Sequence, residues 1–142
     1  MSNEKWKILT GRLCPYCHRP SEFIDSALIY GGQSYGMMYD CRPCDAYVGV
    51  HRGTNRALGR LANKELREYK KAAHSFFDPL WKAKMKKRHM QKHIARNLAY
   101  EWLAREMGLP KDETHIGMFD ETQCRRVIEL CKQYYKTPQK NV

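Results

Sequence analysis

Two Cys-x-x-Cys pairs constrain this 142-residue chain more than any other feature of its sequence. The first pair is Cys14 and Cys17, and the second, after twenty-three intervening residues, is Cys41 and Cys44. Two residues between cysteines let one tight turn aim both sulfurs at the same point, and a tetrahedral zinc ion takes four thiolates at about 2.3 Å. The spacing therefore predicts one structural zinc ion bound by Cys14, Cys17, Cys41 and Cys44.

Three other interpretations of the cysteines are a disulfide pair, a redox-active Cys-x-x-Cys and a chance arrangement. The N-terminus lacks the apolar middle and cleavage site of a signal peptide, and no run approaches the roughly 18 apolar residues of a membrane span. We therefore expect a cytoplasmic protein, in which reduced thiols favour metal binding over disulfides. Because four thiolates leave no open position for water, the zinc is expected to hold the fold without performing catalysis.

The residues between and after the two cysteine pairs have the pattern of short strands. The segments FIDSALIY and SYGMMYD are apolar or aromatic, and Gly31-Gly32-Gln33 between them is typical of a tight β-hairpin. After Cys44, the run DAYVGVH predicts one more strand. Strands held between two metal-binding turns make a zinc ribbon, which we place at residues 1–51.

Helical periodicity begins after Asn63, whose side chain is predicted to cap the first helix. That helix is expected to end at Asp78, because Pro79 disfavours helical geometry at the residue before it while Asp78 can cap a new helix that starts at the proline. The strongest helical pattern covers residues 90–107. Two adjoining apolar stripes follow it, Met90, Ile94, Leu98 and Trp102 on one and Ala95, Ala99, Leu103 and Met107 on the other.

Gly108 and Pro110 are predicted to end that helix, and Asp120 is predicted to cap a last one. The predicted fold class is therefore α+β, with a small N-terminal zinc ribbon packed on a C-terminal region of three to four helices. Residues 52–135 form this helical region. Residues 136–142 are expected to be a flexible tail.

The positive charge of the chain is concentrated in its middle. The net charge is +11, and residues 51–110 carry fifteen basic against five acidic side chains. Such an excess is expected for a polyanionic partner, nucleic acid first and an acidic membrane surface second. The stretch from Leu80 to Tyr100 holds seven cations and no acidic residue, whereas a solvated helix usually mixes both signs. Nucleic-acid contacts are therefore predicted for Lys82, Lys84, Lys86, Lys87, Arg88, Lys92 and Arg96, extended by Arg52, Arg56 and Arg60.

Four tyrosines of the ribbon have two interpretations. They could stack on exposed bases, as aromatic side chains do in proteins that bind single strands, or they could fill the small ribbon core. Both interpretations stay open for Tyr16, Tyr30, Tyr35 and Tyr39.

A metal-dependent nuclease is the enzymatic alternative, because His and Asp side chains near basic residues can bind a metal that cleaves phosphodiesters. The candidate residues are His51, His74, Asp78 and His115. His74 and Asp78 are four residues apart and could share a helix face, but Asp78 is equally explained as a helix cap. The sequence has no nucleophile elbow, phosphate-cradling loop or kinase signature, so the balance is against an enzyme.

The sequence resembles a phage and prophage family of small zinc-finger-containing proteins of unknown function, at CPYC, CRPCDAYVGVHRGTNRALGRLAN, AAHSFFDPLW and HIGMFDETQC. The resemblance covers roughly Arg12 to Cys131. It implies a zinc ribbon followed by a helical region, and a bacteriophage or mobile-element setting in a bacterial host cell. By position, it implies the metal ligands Cys14, Cys17, Cys41 and Cys44. Recurring motif residues without an assigned role match at His51, Gly53, Thr54, His74, Asp78, His115 and Gly117.

The preferred interpretation is a small nucleic-acid-binding protein in which zinc rigidifies the ribbon and the central helices contact phosphates, with DNA favoured over RNA. The second hypothesis is a phage accessory protein that binds a host protein, such as a transcription or defence component. No membrane partner is expected in either case.

Overall fold

The structure is a computed structural model, and it describes residues 3–137. The chain divides between Arg67 and Glu68 into two compact units, which we call the ribbon unit (residues 3–67) and the helical unit (residues 68–137). Most of the tail predicted at residues 136–142 lies outside the described residues. Within the described part of the chain, no helix combines the length and the apolar character that crossing a membrane requires.

The ribbon unit opens with a short helix, α1 (Asn3–Leu9), and continues as a three-stranded antiparallel sheet. The strands are β1 (Glu22–Asp25), β2 (Met37–Cys41) and β3 (Ala46–Gly49), in the spatial order β1-β2-β3. Tyr39 in the central strand is paired with Phe23 on one side and with Val48 on the other. The predicted ribbon and the α+β fold class are confirmed.

The connection between β1 and β2 differs from the predicted tight hairpin at Gly31-Gly32-Gln33. Strand β1 ends at Asp25, whose carboxylate accepts a hydrogen bond from the backbone of Ala27 at 2.8 Å and caps a single 3-10 turn. Ser26 then stabilises the loop, because its buried hydroxyl accepts a hydrogen bond from the backbone of Tyr35 at 2.7 Å. The prediction was wrong because a local side-chain bond to the backbone competes with the strand ladder.

The core of the ribbon unit is small and includes two of the four cysteines that the sequence singles out. Ala46 and Val48 alternate inward along β3 and pack with Tyr39 and Leu61. Cys14 and Cys41 belong to the same buried cluster. A small core of this kind supplies modest stability, so a metal crosslink at its edge has a large relative effect.

The helical unit consists mainly of three helices, and the first of them begins before the division between the units. Their bounds are α2 (Lys64–Arg88), α3 (Lys92–Met107) and α4 (Glu121–Lys136). The predicted caps are confirmed. The Asn63 side chain accepts from the backbone of Leu66 at 2.9 Å, Gly108 ends α3, and Asp120 and Gln123 form a capping box at α4.

Helix α2 passes through Pro79 without interruption, so the helix start predicted there was wrong. A proline inside a helix costs about 3 kcal/mol, because it removes a backbone donor and crowds the preceding turn. Phe77, Leu80 and Trp81 around it are all buried, and each large apolar side chain contributes about 1.5–3 kcal/mol when it leaves water. The burial of three such side chains therefore outweighs the cost of the proline.

On α3 the small-residue stripe is the buried one. Ala95, Ala99 and Leu103 are fully or almost fully buried, whereas Ile94 on the other stripe is 44% exposed. Small side chains let a helix approach its neighbours closely, which explains why the weaker apolar stripe faces inward.

Candidate metal centre

The first cysteine pair lies on a turn that is closed by backbone hydrogen bonds. Cys14 accepts from the backbone N–H of His18 and donates to the carbonyl of Arg19, both at 2.9 Å. His18 has a left-handed backbone with φ of 62°, and its ring nitrogen Nδ1 lies 2.7 Å from a carboxylate oxygen of Glu4 in α1. The His18 side chain is therefore engaged with α1.

The second pair repeats this geometry at the end of β2. Cys41 is the last residue of the strand, and a 3-10 turn carries the chain from Arg42 to Cys44. Asp45 follows with φ of 49°, and its backbone N–H donates to the carbonyl of Arg42 at 3.1 Å. In both pairs a left-handed residue directly after the second cysteine reverses the chain, a conformation that aspartate tolerates better than most residues.

The four cysteine sulfurs converge on one point. All of them lie within 4.8 Å of one another, and the Sγ atoms of Cys17 and Cys41 are 3.6 Å apart. Four thiolates at about 2.3 Å around a tetrahedral zinc ion would be separated by about 3.8 Å, so the group fits such an ion. Within residues 3–137, this is the one group of three or more His, Cys, Asp or Glu side chains that could hold a metal ion.

The electrostatic surroundings of the sulfurs are unequal. The backbone N–H of Arg19, assisted by its guanidinium, lowers the pKa of Cys17 to about 6, whereas burial raises the pKa of Cys44 to about 12 and also raises that of Cys41. One thiolate therefore forms readily, and the thiols of Cys41 and Cys44 need a bound cation to lose their protons. Arg19 lies outside the Cys-x-x-Cys motif, so its role could not be predicted from the spacing of the cysteines.

Arg67 ties the second cysteine turn to the start of α2. Its guanidinium donates to the backbone carbonyl of Asp45 at 3.0 Å and to that of Ala62 at 2.7 Å. The same group lies 4.2 Å from the centre of the Tyr47 ring, within the range of a cation–π contact. Arg67 is one of fifteen basic residues in the middle of the sequence, and only the fold shows that its task is structural.

A family comparison agrees with this geometry. The profile of a family described as a zinc-finger-containing domain matches residues 10–134. The chain belongs to this family. No curated protein and no solved structure matches the chain. The segment that matches the zinc-finger-containing family takes in both cysteine pairs, α2, α3 and most of α4.

The residues considered for a nuclease site have local structural roles. The carbonyl of His51 accepts from the backbone and the hydroxyl of Thr54, at 2.9 and 2.8 Å, and so closes a turn. Nδ1 of His74 lies 3.3 Å from Oδ1 of Asp78, and the His115 ring packs on a tyrosine. Among the described residues, none of these four side chains belongs to a group of three or more potential metal ligands.

The basic residues predicted between Leu80 and Tyr100 divide into one buried and six exposed side chains. Lys84 is only 6% exposed, and burial, followed by the charge of Arg88, lowers its pKa. The exposed six are Lys82, Lys86, Lys87, Arg88, Lys92 and Arg96, which we call the α2–α3 basic surface. Within the described residues, none of the six lies within 4 Å of an acidic side chain. Arg52, Arg56 and Arg60 belong to the ribbon unit.

The four tyrosines considered for base stacking also divide. Tyr39 is buried in the ribbon core, and the Tyr16 hydroxyl accepts from the backbone of Asn63 at 3.1 Å. Tyr16, Tyr30 and Tyr35 are exposed. The core interpretation therefore holds for Tyr39, while the other three rings face solvent.

Proposed function

We propose that this chain is a zinc-stabilised nucleic-acid-binding protein, in which the four cysteines hold zinc and the α2–α3 basic surface contacts phosphates. The observation that carries the proposal is that six exposed cations of one short region have no acidic partner within ion-pair distance among the described residues. Lys84 is left out of the contact set because its side chain is buried.

Trp81 shows how closely part of this charge is gathered. The charged groups of Lys82, Lys92 and Arg96 lie 5.6, 5.5 and 5.8 Å from the centre of its ring. Any two of these cations are therefore at most about 11 Å apart, and two unit charges at about 10 Å in water repel by about 0.4 kcal/mol. A folded protein tolerates this repulsion, but a polyanion removes it and also gains free energy by releasing its own counterions.

The chemistry of the partner follows from this arrangement. Phosphates of a nucleic-acid backbone match several separate cations, and we favour DNA over RNA. On the resemblance of its sequence motifs, we place the protein in a bacteriophage or mobile element, acting in the bacterial cytoplasm, where reduced thiols are free to bind zinc.

Fluorescence anisotropy tests the proposal. The protein is titrated into labelled 20-nucleotide single-stranded DNA, duplex DNA and RNA over a range of salt concentrations. Wild-type affinity should fall steeply with salt, because each released counterion contributes to the slope. The triple variant K86Q/K87Q/R88Q should bind more weakly and lose about 2–3 from the slope of log K against log salt.

A matched control keeps the same net charge. The variant K7Q/R105Q/K136Q also removes three exposed cations, but none of them belongs to the α2–α3 basic surface. It should bind close to wild type. Equal loss of nucleic-acid affinity in both variants would show that only the net charge matters. Binding that is absent or independent of salt would contradict the proposal and favour a host protein as the partner.

A further inference from the structure

The ribbon unit contains an open cleft that the metal centre and the basic surface leave unexplained. Its volume is about 660 Å³, within the range of small-ligand sites. The side chains that line it include Tyr30, Tyr35, Met37, Tyr47, Arg52 and Leu58. No Asp or Glu is among the lining residues.

The tyrosines of the cleft are arranged edge to face. Tyr30 makes T-shaped contacts with Tyr35 at 5.4 Å and with Tyr47 at 6.2 Å between ring centroids. Tyr35 remains 70% exposed, although burial of a ring this large is favourable. An exposed tyrosine held by one edge contact offers a face on which another flat ring can stack.

Arg52 is held beside these rings by a well-defined turn. Thr54 donates from its backbone and from its hydroxyl to the His51 carbonyl, which closes the turn around Arg52 and Gly53. Gly53 has φ of 76°, a backbone that side chains rarely adopt, so glycine is favoured at this position. Arg52 has no acidic side chain within ion-pair distance in the described part of the chain, so its guanidinium can take an anion.

We propose that this cleft holds one unstacked base of a single-stranded nucleic acid, with the base on the Tyr35 ring and an adjacent phosphate at Arg52. This assignment rests on the nucleic-acid binding proposed above and names the form of nucleic acid that the ribbon unit recognises. A planar aromatic face beside a lone cation matches a nucleotide, which is flat at one end and anionic at the other. An apolar peptide side chain would use the rings and leave Arg52 without a partner.

The test uses the full zinc-loaded chain and oligothymidylate of twelve nucleotides with a single 2-aminopurine, whose fluorescence reports stacking. The Y35A variant should bind this strand about 5- to 150-fold more weakly, the range expected for the loss of one base–aromatic stack. Binding to Y35A should also no longer change the fluorescence of the 2-aminopurine. Y35F keeps the ring and should behave as wild type, and a duplex of the same length should bind wild type and Y35A equally.

Control variants separate this site from general effects. W6A removes another exposed aromatic ring of the ribbon unit that does not line the cleft, and it should leave strand affinity unchanged. If single strand and duplex both bind with steep salt dependence but Y35A changes neither, the base site is overturned while the proposed function stands. If no nucleic acid binds, both are overturned. Unchanged strand affinity in Y35A, with loss of a host protein captured by wild type, would assign the cleft to a protein partner.

Discussion

The indole nitrogen of Trp81 donates a hydrogen bond to Oδ1 of Asp78 at 3.1 Å. The same oxygen lies 3.3 Å from Nδ1 of His74, so one carboxylate oxygen is shared by an indole and an imidazole. Trp81 is buried, and a buried indole N–H without an acceptor is costly. The aspartate before Pro79 therefore satisfies the tryptophan inside a continuous helix.

Replacing Asp78 with alanine should destabilise the helical unit by about 1–3 kcal/mol, because the Trp81 N–H then loses its acceptor. H74A removes only the partly exposed pair with Asp78 and should cost less than about 1 kcal/mol. Urea unfolding followed by tryptophan fluorescence in a W6F background measures both. A cost for H74A as large as that for D78A would show that the imidazole contact dominates.

Loss of the metal should unfold the ribbon unit. We expect one zinc ion per chain by elemental analysis. A strong chelator or the C41S substitution should remove the ion. The dispersed amide NMR signals of the three strands should then be lost, because a thiolate site contributes directly to folding. Cys124 and Cys131 are buried in the helical unit and provide the controls. C124A should keep full zinc content at a packing cost of roughly 1 kcal/mol. Zinc loss in C124A, or full zinc content in C41S, would contradict the assigned ligands.

Gly11 is required by a close approach. A Cβ atom at this position would lie 2.7 Å from Cβ of Ala57, and the backbone has φ of +76°. Gly32 has a similar left-handed backbone, with φ of +93°, but nothing within 4 Å of an added Cβ, so G32A is a matched control for backbone strain alone. We expect about 1–2 kcal/mol for G32A and about 1–3 kcal/mol more for G11A. Hydrogen exchange at the amides of β2 and β3 measures both costs. Equal protection in the two variants would show that the contact between an added Cβ at Gly11 and Ala57 costs nothing.

Lys84 should give a pH-dependent stability difference. Burial lowers its folded-state pKa below the usual 10.5, so the folded chain gives up this proton more easily than the unfolded chain and the charged form destabilises the fold. K84M should therefore be more stable than wild type at neutral pH, by about 1 kcal/mol. The difference in the free energy of unfolding between K84M and wild type should narrow as pH rises through the lowered pKa of Lys84 towards 10.5.

The control for this effect is K86M, which removes an exposed lysine from the same turn of α2. It should change stability little at either pH, since an exposed ammonium keeps its water. Unfolding by urea at pH 7 and pH 10, followed by tryptophan fluorescence, separates the two lysines. If the stability advantage of K84M over wild type grew with pH, the folded protein would stabilise the charged ammonium of Lys84.

The strength of a local pattern decided which elements could be predicted. The cysteine spacing predicted a cluster of four side chains that could hold a metal ion, and the structure contains that cluster. The caps at Asn63 and Asp120 were confirmed because a cap depends on a few neighbouring residues. The predicted break at Pro79 failed for the opposite reason. Burial of Phe77, Leu80 and Trp81 is a tertiary effect, and it exceeds the local cost of the proline.

By itself, the sequence determined the cysteine cluster, the ribbon and the caps of the long helices, since tight turns, alternation and helical period are properties of neighbouring residues. Only the tertiary structure decided how chemically similar side chains divide between tasks. Lys84 is buried while Lys86 is exposed, and Tyr39 fills a core while Tyr35 faces a cleft. Charge and aromaticity belong to the residue, whereas access to solvent depends on contacts between residues far apart in the chain.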